Sequence, residues 1–225
     1  MAAAKAMLDE LPSSISQPQS DRKIYTLGSI GGRNVVIASL PAGLAGTISA
    51  TAVVSRLVST YPTIQFRLIV GIGGRFPRRN SDICFGDVVV SRRTATSGRF
   101  IQYDYDKTLR NGQFQHTGSL KKPRPVLLKA TAQIESDSIL GRNLLVLGYN
   151  HSNRENDGSE CDKLQLLDRP QRSDEEPYIH YGLIASGDQV VKDAKTRDSV
   201  AHDRDILCFE TKAAGLIDEL PTLYM

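Results

Sequence analysis

No run of apolar residues in this chain approaches the roughly 18 that a membrane span requires, and its N-terminus carries no signal-peptide pattern. A membrane partner is therefore not expected, and the protein reads as cytoplasmic. Cysteine is scarce: Cys84, Cys161 and Cys208 form no C-x-x-C pair and leave one odd, which fits a reducing compartment rather than a disulfide framework. His151 and Cys161 share a polar segment but lack further ligands at close spacing, so no metal is expected. His116, His180 and His202 stand alone, and His180, inside a strand-like run, reads as a structural histidine. The phosphate-binding GK[ST], the dinucleotide G-x-G-x-x-G and the nucleophile-elbow G-x-S-x-G are all missing, and no cofactor is expected. The net charge of +3 is mild. Its one basic cluster, Arg75, Arg78 and Arg79, has no accompanying aromatic stacking pattern, so it reads as a solvated loop and not as a nucleic-acid surface.

What is present describes a folded α/β chain. With 225 residues, 40% hydrophobic and 24% charged, it is long enough for a sizeable core, and it is read as one domain over 1–225. "MAAAKAMLDELP" predicts an opening helix with Met7, Leu8 and Leu11 on its apolar side and Pro12 ending it. "KIYTLGSIGGRNVVIASL" predicts two strands joined near Gly31–Asn34, and the Gly-containing loop "PAGLAGT" leads into a helix from about Ile48 to Ser59. "IQFRLIVGIGG" and Asp87–Ser91 predict buried strands, the β-branched runs of a sheet covered by helices. From about 141 to 177 the sequence turns polar and aperiodic, an insertion too long for an ordinary connection. "YIHYGLIASG" then predicts a strand, followed by a short helix near Asp193–Ala201, a strand over 206–209, and the beginning of another strand from Leu220.

Three places could carry chemistry. "VGIGG" (Val70–Gly74) is a strand-to-loop glycine turn, readable as a tight turn or as a place where backbone approaches a ligand. "IASGD" sets Ser186, Gly187 and Asp188 at the C-terminal end of a strand, the edge where α/β sheets bind ligands. Asp188 either caps the following helix or contacts a ligand. "CFETKAAGL" (Cys208–Leu216) runs from a buried strand into a helix start of small residues, with Glu210 at the junction and Lys212 two residues later.

"VGIGG", "GDVVVS", "GLIASGD" and "CFETKAAGL", in this order, resemble segments of the purine nucleoside phosphorylase and nucleosidase superfamily. "IHYGLIASG" after a long polar insertion is similar to fungal domains of that family, often fused to ankyrin, tetratricopeptide or nucleotide-binding signalling modules. The resemblance implies a three-layer α/β/α domain with a central mixed sheet curling into a partial barrel. It implies cleavage of purine nucleosides at the N-glycosidic bond, a reaction that needs an acid near the purine and an anchor for the ribose.

The resemblance also marks departures. Glu210 matches the first glutamate of the family signature. The methionine against sugar and base falls at Thr211, and the second glutamate, which binds the ribose hydroxyls, falls at Lys212, an ammonium that can only donate. The family's general-acid aspartate would lie beyond Met225, and its water-activating glutamate would follow a strand that precedes this sequence, so the fold reads as incomplete at both termini. The arginine and serine of phosphorylases fall at Ile69 and Ile72, which favours hydrolysis over phosphorolysis in an intact relative. What the resemblance leaves is a binding floor: Gly71, Ile72, Gly73 and Gly74 beneath the sugar, Val190 and Val191 along the purine, with Ser186, Asp188, Glu210, Thr211 and Lys212 around them. The expectation is a domain without catalytic residues that binds a purine nucleoside weakly, or a non-catalytic interaction module of a multidomain signalling protein. Homo-oligomers remain open.

Overall fold

The computed structural model describes residues 2–10, 25–40, 46–75, 82–84, 86–92, 100–103, 107–108, 114–115, 124–141, 177–188, 194–217 and 223–225. Its centre is β9 (Ile179–Ser186), whose residues 183–186 are wholly buried. A strand apolar on both faces must be covered on both faces, and this one is. Leu183 and Ala185 face a cluster with Ile101, Ala201, Ile206 and Phe209, while Ile184 faces Cys208 and Ala213. The first cluster is closed by α4 (Ala194–Arg204), the second by α5 (Ala213–Ile217), and α2 (Thr47–Thr60) packs on α5. The result is helix, sheet, helix. Complete burial of Leu183, Ile184 and Ile206 contributes about 1.5–3 kcal/mol per side chain.

Strand β10 (Ile206–Glu210) runs parallel to β9, with a register shift between Ile206 and Cys208. On the other edge of β9, two strands share its length. β5 (Val88–Ser91) pairs with residues 179–182 and β6 (Phe100–Gln102) with residues 184–186, both parallel. Strand β4 (Gly74–Arg75) is antiparallel to β10, which makes the sheet mixed. β3 (Leu68–Ile69) pairs parallel with β11 (Leu223–Tyr224), and β11 lies against β5. Residues 68–75 thus supply a strand to each end of the arrangement, and the strands curl. A smaller pair, β7 (Lys107–Thr108) and β8 (Phe114–Gln115), is antiparallel.

The hairpin forms where expected, β1 (Tyr25–Ile30) against β2 (Arg33–Ala38), and its two-residue connection is Gly31–Gly32, both at positive φ (54° and 71°). Such a primed turn needs glycine-like φ at both positions. The opening helix differs from expectation. α1 covers Ala2–Ala6 only, because Glu10 bridges to Ser29 and Asp9 accepts the Gly31 N–H at 2.6 Å. These bonds draw residues 8–10 out along the hairpin, with Leu8 pressed on Gly28. The "IQFRLIVGIGG" run is likewise shorter as strand, since Gly71–Gly73 separate β3 from β4. Helix α3 (Pro125–Ile139) has no counterpart among the expected elements; Pro125 stands in its first turn, where a missing N–H costs nothing. Most of the polar insertion, 142–176, lies outside the described residues.

At the N-terminal end of the parallel strands, Asp87 is a buried organiser. Its Oδ2 accepts the Cys84 N–H at 2.7 Å and lies 2.9 Å from His180 Nε2, and its Oδ1 accepts the Tyr178 N–H at 3.0 Å. One carboxylate thereby ties the entry of β5 to the entry of β9. Asp87→Ala strands two N–H groups and an imidazole, and a loss of about 3–5 kcal/mol is expected. Urea unfolding followed by far-UV circular dichroism checks this; a loss under about 1 kcal/mol would contradict the organising role.

Candidate functional site

The C-terminal ends of β9 and β10 define one edge, and most of the residues singled out in the sequence converge there. Ser186 and Glu210 are register partners at the ends of the two strands. The glycine turn reaches the same place because Gly74 pairs with Phe209 across β4 and β10. Gly73 lies so close to β10 that a Cβ there would stand 3.2 Å from the Phe209 carbonyl oxygen and 3.3 Å from Cys208 Sγ. Close backbone approach is what this glycine provides. Ile72, Gly73 and Gly74 are exposed, and Gly71, whose N–H donates to the Met225 carbonyl, is half-buried. Thr211 and Lys212 are half-buried in the turn between β10 and α5. Val190 and Val191 lie outside the described residues.

The polar side chains of this edge are engaged by backbone. Glu210 is buried, and its Oε2 accepts the Lys212 N–H at 2.7 Å while Oε1 accepts the Ala213 N–H at 2.9 Å. Ser186 Oγ accepts the Ala214 N–H at 2.8 Å. Three successive N–H groups opening α5 are thus satisfied by two side chains, the task of N-terminal caps. Backbone N–H groups at the positive end of a helix are favourable partners for a carboxylate. Asp188 does related work elsewhere: its Oδ1 accepts both the N–H (2.8 Å) and the hydroxyl (3.0 Å) of Thr47, 141 residues away. It therefore caps α2. Gly46, the residue before α2, brings no capping side chain and sits at φ 90°, and a Cβ there would lie 2.6 Å from Asp188 Oδ1.

Sequence reasoning missed three contributors. Gly46 and Thr47 belong to "PAGLAGT", and the signal that could have found them is a glycine directly before a threonine at a helix start. Tyr103 stands over Gly187, packs edge-on to Phe209 at 5.6 Å, and donates its N–H to the Ser186 carbonyl. It walls the edge from the β6 side, which periodicity alone does not reveal.

Cys208 faces the α5 side of β10. Burial, reinforced by the Glu210 charge, pushes its thiol up from 9.0 to about 12, so it is no nucleophile at neutral pH. Among the described residues no group of three or more His, Cys, Asp or Glu could hold a metal ion, and no helix is long and apolar enough to cross a membrane. His116, His151, Cys161, Arg78 and Arg79 lie outside the described residues. A cavity of about 230 Å³ lies away from this edge, between α3 and the β5–β9 seam, lined by Ser91, Arg92, Leu128, Thr131, Glu135 and Tyr181. Burial, with Glu135 adding and Arg92 opposing, raises the Tyr181 phenol above its ordinary value.

No protein-family model matches the chain. It is similar to a nucleotide-binding leucine-rich repeat (NLR)-like protein of Hyaloscypha variabilis, 35% identical over 97% of this chain, and it spans only 24% of that protein's length. Among solved structures, a 5'-methylthioadenosine/S-adenosylhomocysteine nucleosidase of Borrelia burgdorferi bound to adenine superposes with a TM-score of 0.64 at 20% identity, covering 99% of this chain and 78% of that one. A futalosine hydrolase of Helicobacter pylori gives 0.56 at 13%, covering 93% and 76%.

Glu210→Ala should cost about 2–4 kcal/mol, because two buried N–H groups lose their acceptor, and Ser186→Ala about 1 kcal/mol. Guanidinium unfolding measures both; equal, negligible losses would show that the caps do not hold α5.

Proposed function

For a chain with the fold of the nucleoside phosphorylase and nucleosidase superfamily, we propose that the C-terminal edge of β9 and β10 binds a purine nucleoside or its base without cleaving it. The observation that carries this reading is the engagement of Glu210. Both oxygens face backbone N–H groups of the chain itself, and the position two residues on, where the family anchors ribose with a second carboxylate, is Lys212. Cleavage of an N-glycosidic bond needs a proton donor for the leaving purine and stabilisation of an oxocarbenium-like sugar. An ammonium beside the ribose opposes the developing positive charge and offers no acceptor to the hydroxyls. Binding keeps some support: an exposed glycine turn beside β10, and the Tyr103–Phe209 aromatic pair at the same edge. That the Borrelia neighbour holds adenine makes the base the natural first ligand to test.

A second reading has its own support. The NLR-like relative is about four times as long as the matched stretch, since the chain spans 24% of it, so the domain, 1–225 as a unit, would act as a nucleoside-responsive or interaction module of a larger signalling protein. Both readings place ligand and regulation at one edge and need no turnover.

Incubation with inosine, adenosine or methylthioadenosine, with or without phosphate, should release no free purine above a blank. An ammonium in place of a carboxylate at the ribose position forgoes charge-assisted bonds worth about 1.5–3 kcal/mol each. Calorimetric titration with the same nucleosides should show at most weak binding. Lys212→Glu combined with Thr211→Met should tighten it about tenfold or more without restoring cleavage, because each charge-assisted bond to a ribose hydroxyl is worth about 1.5–3 kcal/mol. Purine release at enzyme-like rates would overturn the non-cleaving reading. Equal, undetectable binding in both proteins would overturn the nucleoside site.

A further inference from the structure

Helix α3 lies against the β5–β9 seam without burying any of its own residues. Most helices take their stability from pressing an apolar face into a core. Here the inward face is Leu128, Thr131, Ala132 and Glu135, spaced i, i+3, i+4 and i+7 and so aligned on one side, and it meets a cavity. Tyr181 of β9 and Arg92, just past the end of β5, stand on the sheet side of it. The volume, about 230 Å³, is several times the ~30 Å³ that one water takes up in the liquid. It falls a little below the ~300 Å³ at which sites for drug-sized ligands begin. It is room for a fragment.

The walls are chemically uneven. The Tyr181 phenol oxygen is buried and has no hydrogen-bond partner among the described residues. A buried hydroxyl in that state carries the desolvation cost of the group and calls for an explanation. Burial first, and the Glu135 charge second, raise this phenol above its ordinary value, so Tyr181 keeps its proton at neutral pH and is available as a donor. The acceptors come from α3. Thr131 gives its hydroxyl proton to the Leu128 carbonyl at 2.9 Å, which leaves lone pairs on its oxygen, and the Glu135 carboxylate can only accept. Arg92 and Glu135 pair at 2.5 Å, with side chains 53% and 35% exposed, so the lining carries no net charge. Leu128 and Ala132 add apolar surface.

We propose that this cavity is a second small-molecule site, taking a neutral carboxamide of fragment size whose carbonyl accepts from Tyr181 and whose N–H donates to Thr131 or Glu135. A carboxylate offers no donor, and in taking Arg92 it would leave Glu135 unpaired. An ammonium offers no acceptor to the phenol, and a hydrocarbon leaves the phenol as it is. The site is independent of the nucleoside reading. Tyr181 and Ser186 are five residues apart on β9, roughly 16 Å at ~3.3 Å per residue.

Titration of the full ¹⁵N-labelled chain with benzamide, benzoate and toluene, each to millimolar concentration, tests this. Benzamide should shift the amides of Arg92, Leu128, Thr131 and Tyr181 saturably, and benzoate and toluene should not. Tyr181→Phe should weaken benzamide about threefold to tenfold, the worth of one neutral hydrogen bond. Its melting temperature should stay level or rise, since no bond within the chain is lost. Ala132→Leu, which fills the cavity from the α3 side, should abolish the shifts while leaving the far-UV dichroism unchanged. A cavity that holds water only would show no saturable shift with benzamide, and that would overturn the proposal. So would equal binding of benzoate or toluene, or benzamide binding that survives Ala132→Leu. Unchanged affinity in Tyr181→Phe would overturn it too, as would a marked fall in that variant's melting temperature, which would assign the phenol to the fold.

Discussion

The Glu210 carboxylate is the constraint on which the rest of this edge depends. It is buried at the last position of β10, where an unpaired charge would cost several kcal/mol. The N–H groups of Lys212 and Ala213 hold it, and in holding it they fix where α5 begins. Ser186 at the end of the neighbouring strand takes the next N–H, from Ala214, so α5 is anchored to two strands at once. α5 in turn carries α2, and α2 begins where Asp188 receives Thr47. A chain of caps thus runs from β10 through β9 to a helix 141 residues earlier, and it forms along the edge where an α/β sheet would present its ligand groups.

That placement decides what the edge can do. A carboxylate or hydroxyl that satisfies a helix terminus has part of its hydrogen-bonding capacity committed to the helix. Glu210, Ser186 and Asp188 are therefore parts of the scaffold first. What stands clear of that duty among the described residues is the exposed backbone of Ile72–Gly74 and the Lys212 side chain. Under the proposed reading, these donors and the Tyr103–Phe209 pair hold a base or an anionic group. The sheet supplies the rigidity for such retention, since its central strand is buried on both faces.

Much of this was legible in the sequence, and the reasons are local. β9 and β10 hold short apolar runs (Leu183–Ala185 and Ile206–Phe209), α2 has an apolar face, and Gly31–Gly32 between two strand-like runs marks a turn. The convergence of Gly74, Ser186 and Glu210 was legible through the resemblance, not through periodicity. Other features were not. α1 is short because Asp9 and Glu10 bond to a hairpin distant in sequence, a tertiary override of helix propensity. The destination of Asp188 was invisible because its partner, Thr47 at the start of α2, lies 141 residues earlier, and a cap on the following helix is the local default. α3 escaped because its mixed pattern, with no buried residue, gives weak periodicity to read.

The central claim is that ligand meets this chain at the capped edge of β9 and β10 and stays intact there. Amide chemical shifts of the ¹⁵N-labelled protein, followed while adenine and then adenosine are added, test it most directly. The account predicts perturbations confined to Gly71–Gly74, Gly187 and Lys212, with the adenosine proton signals unchanged over time. Perturbations clustered instead at Arg92, Thr131 and Tyr181 around the α3 cavity, or the appearance of free ribose, would contradict it.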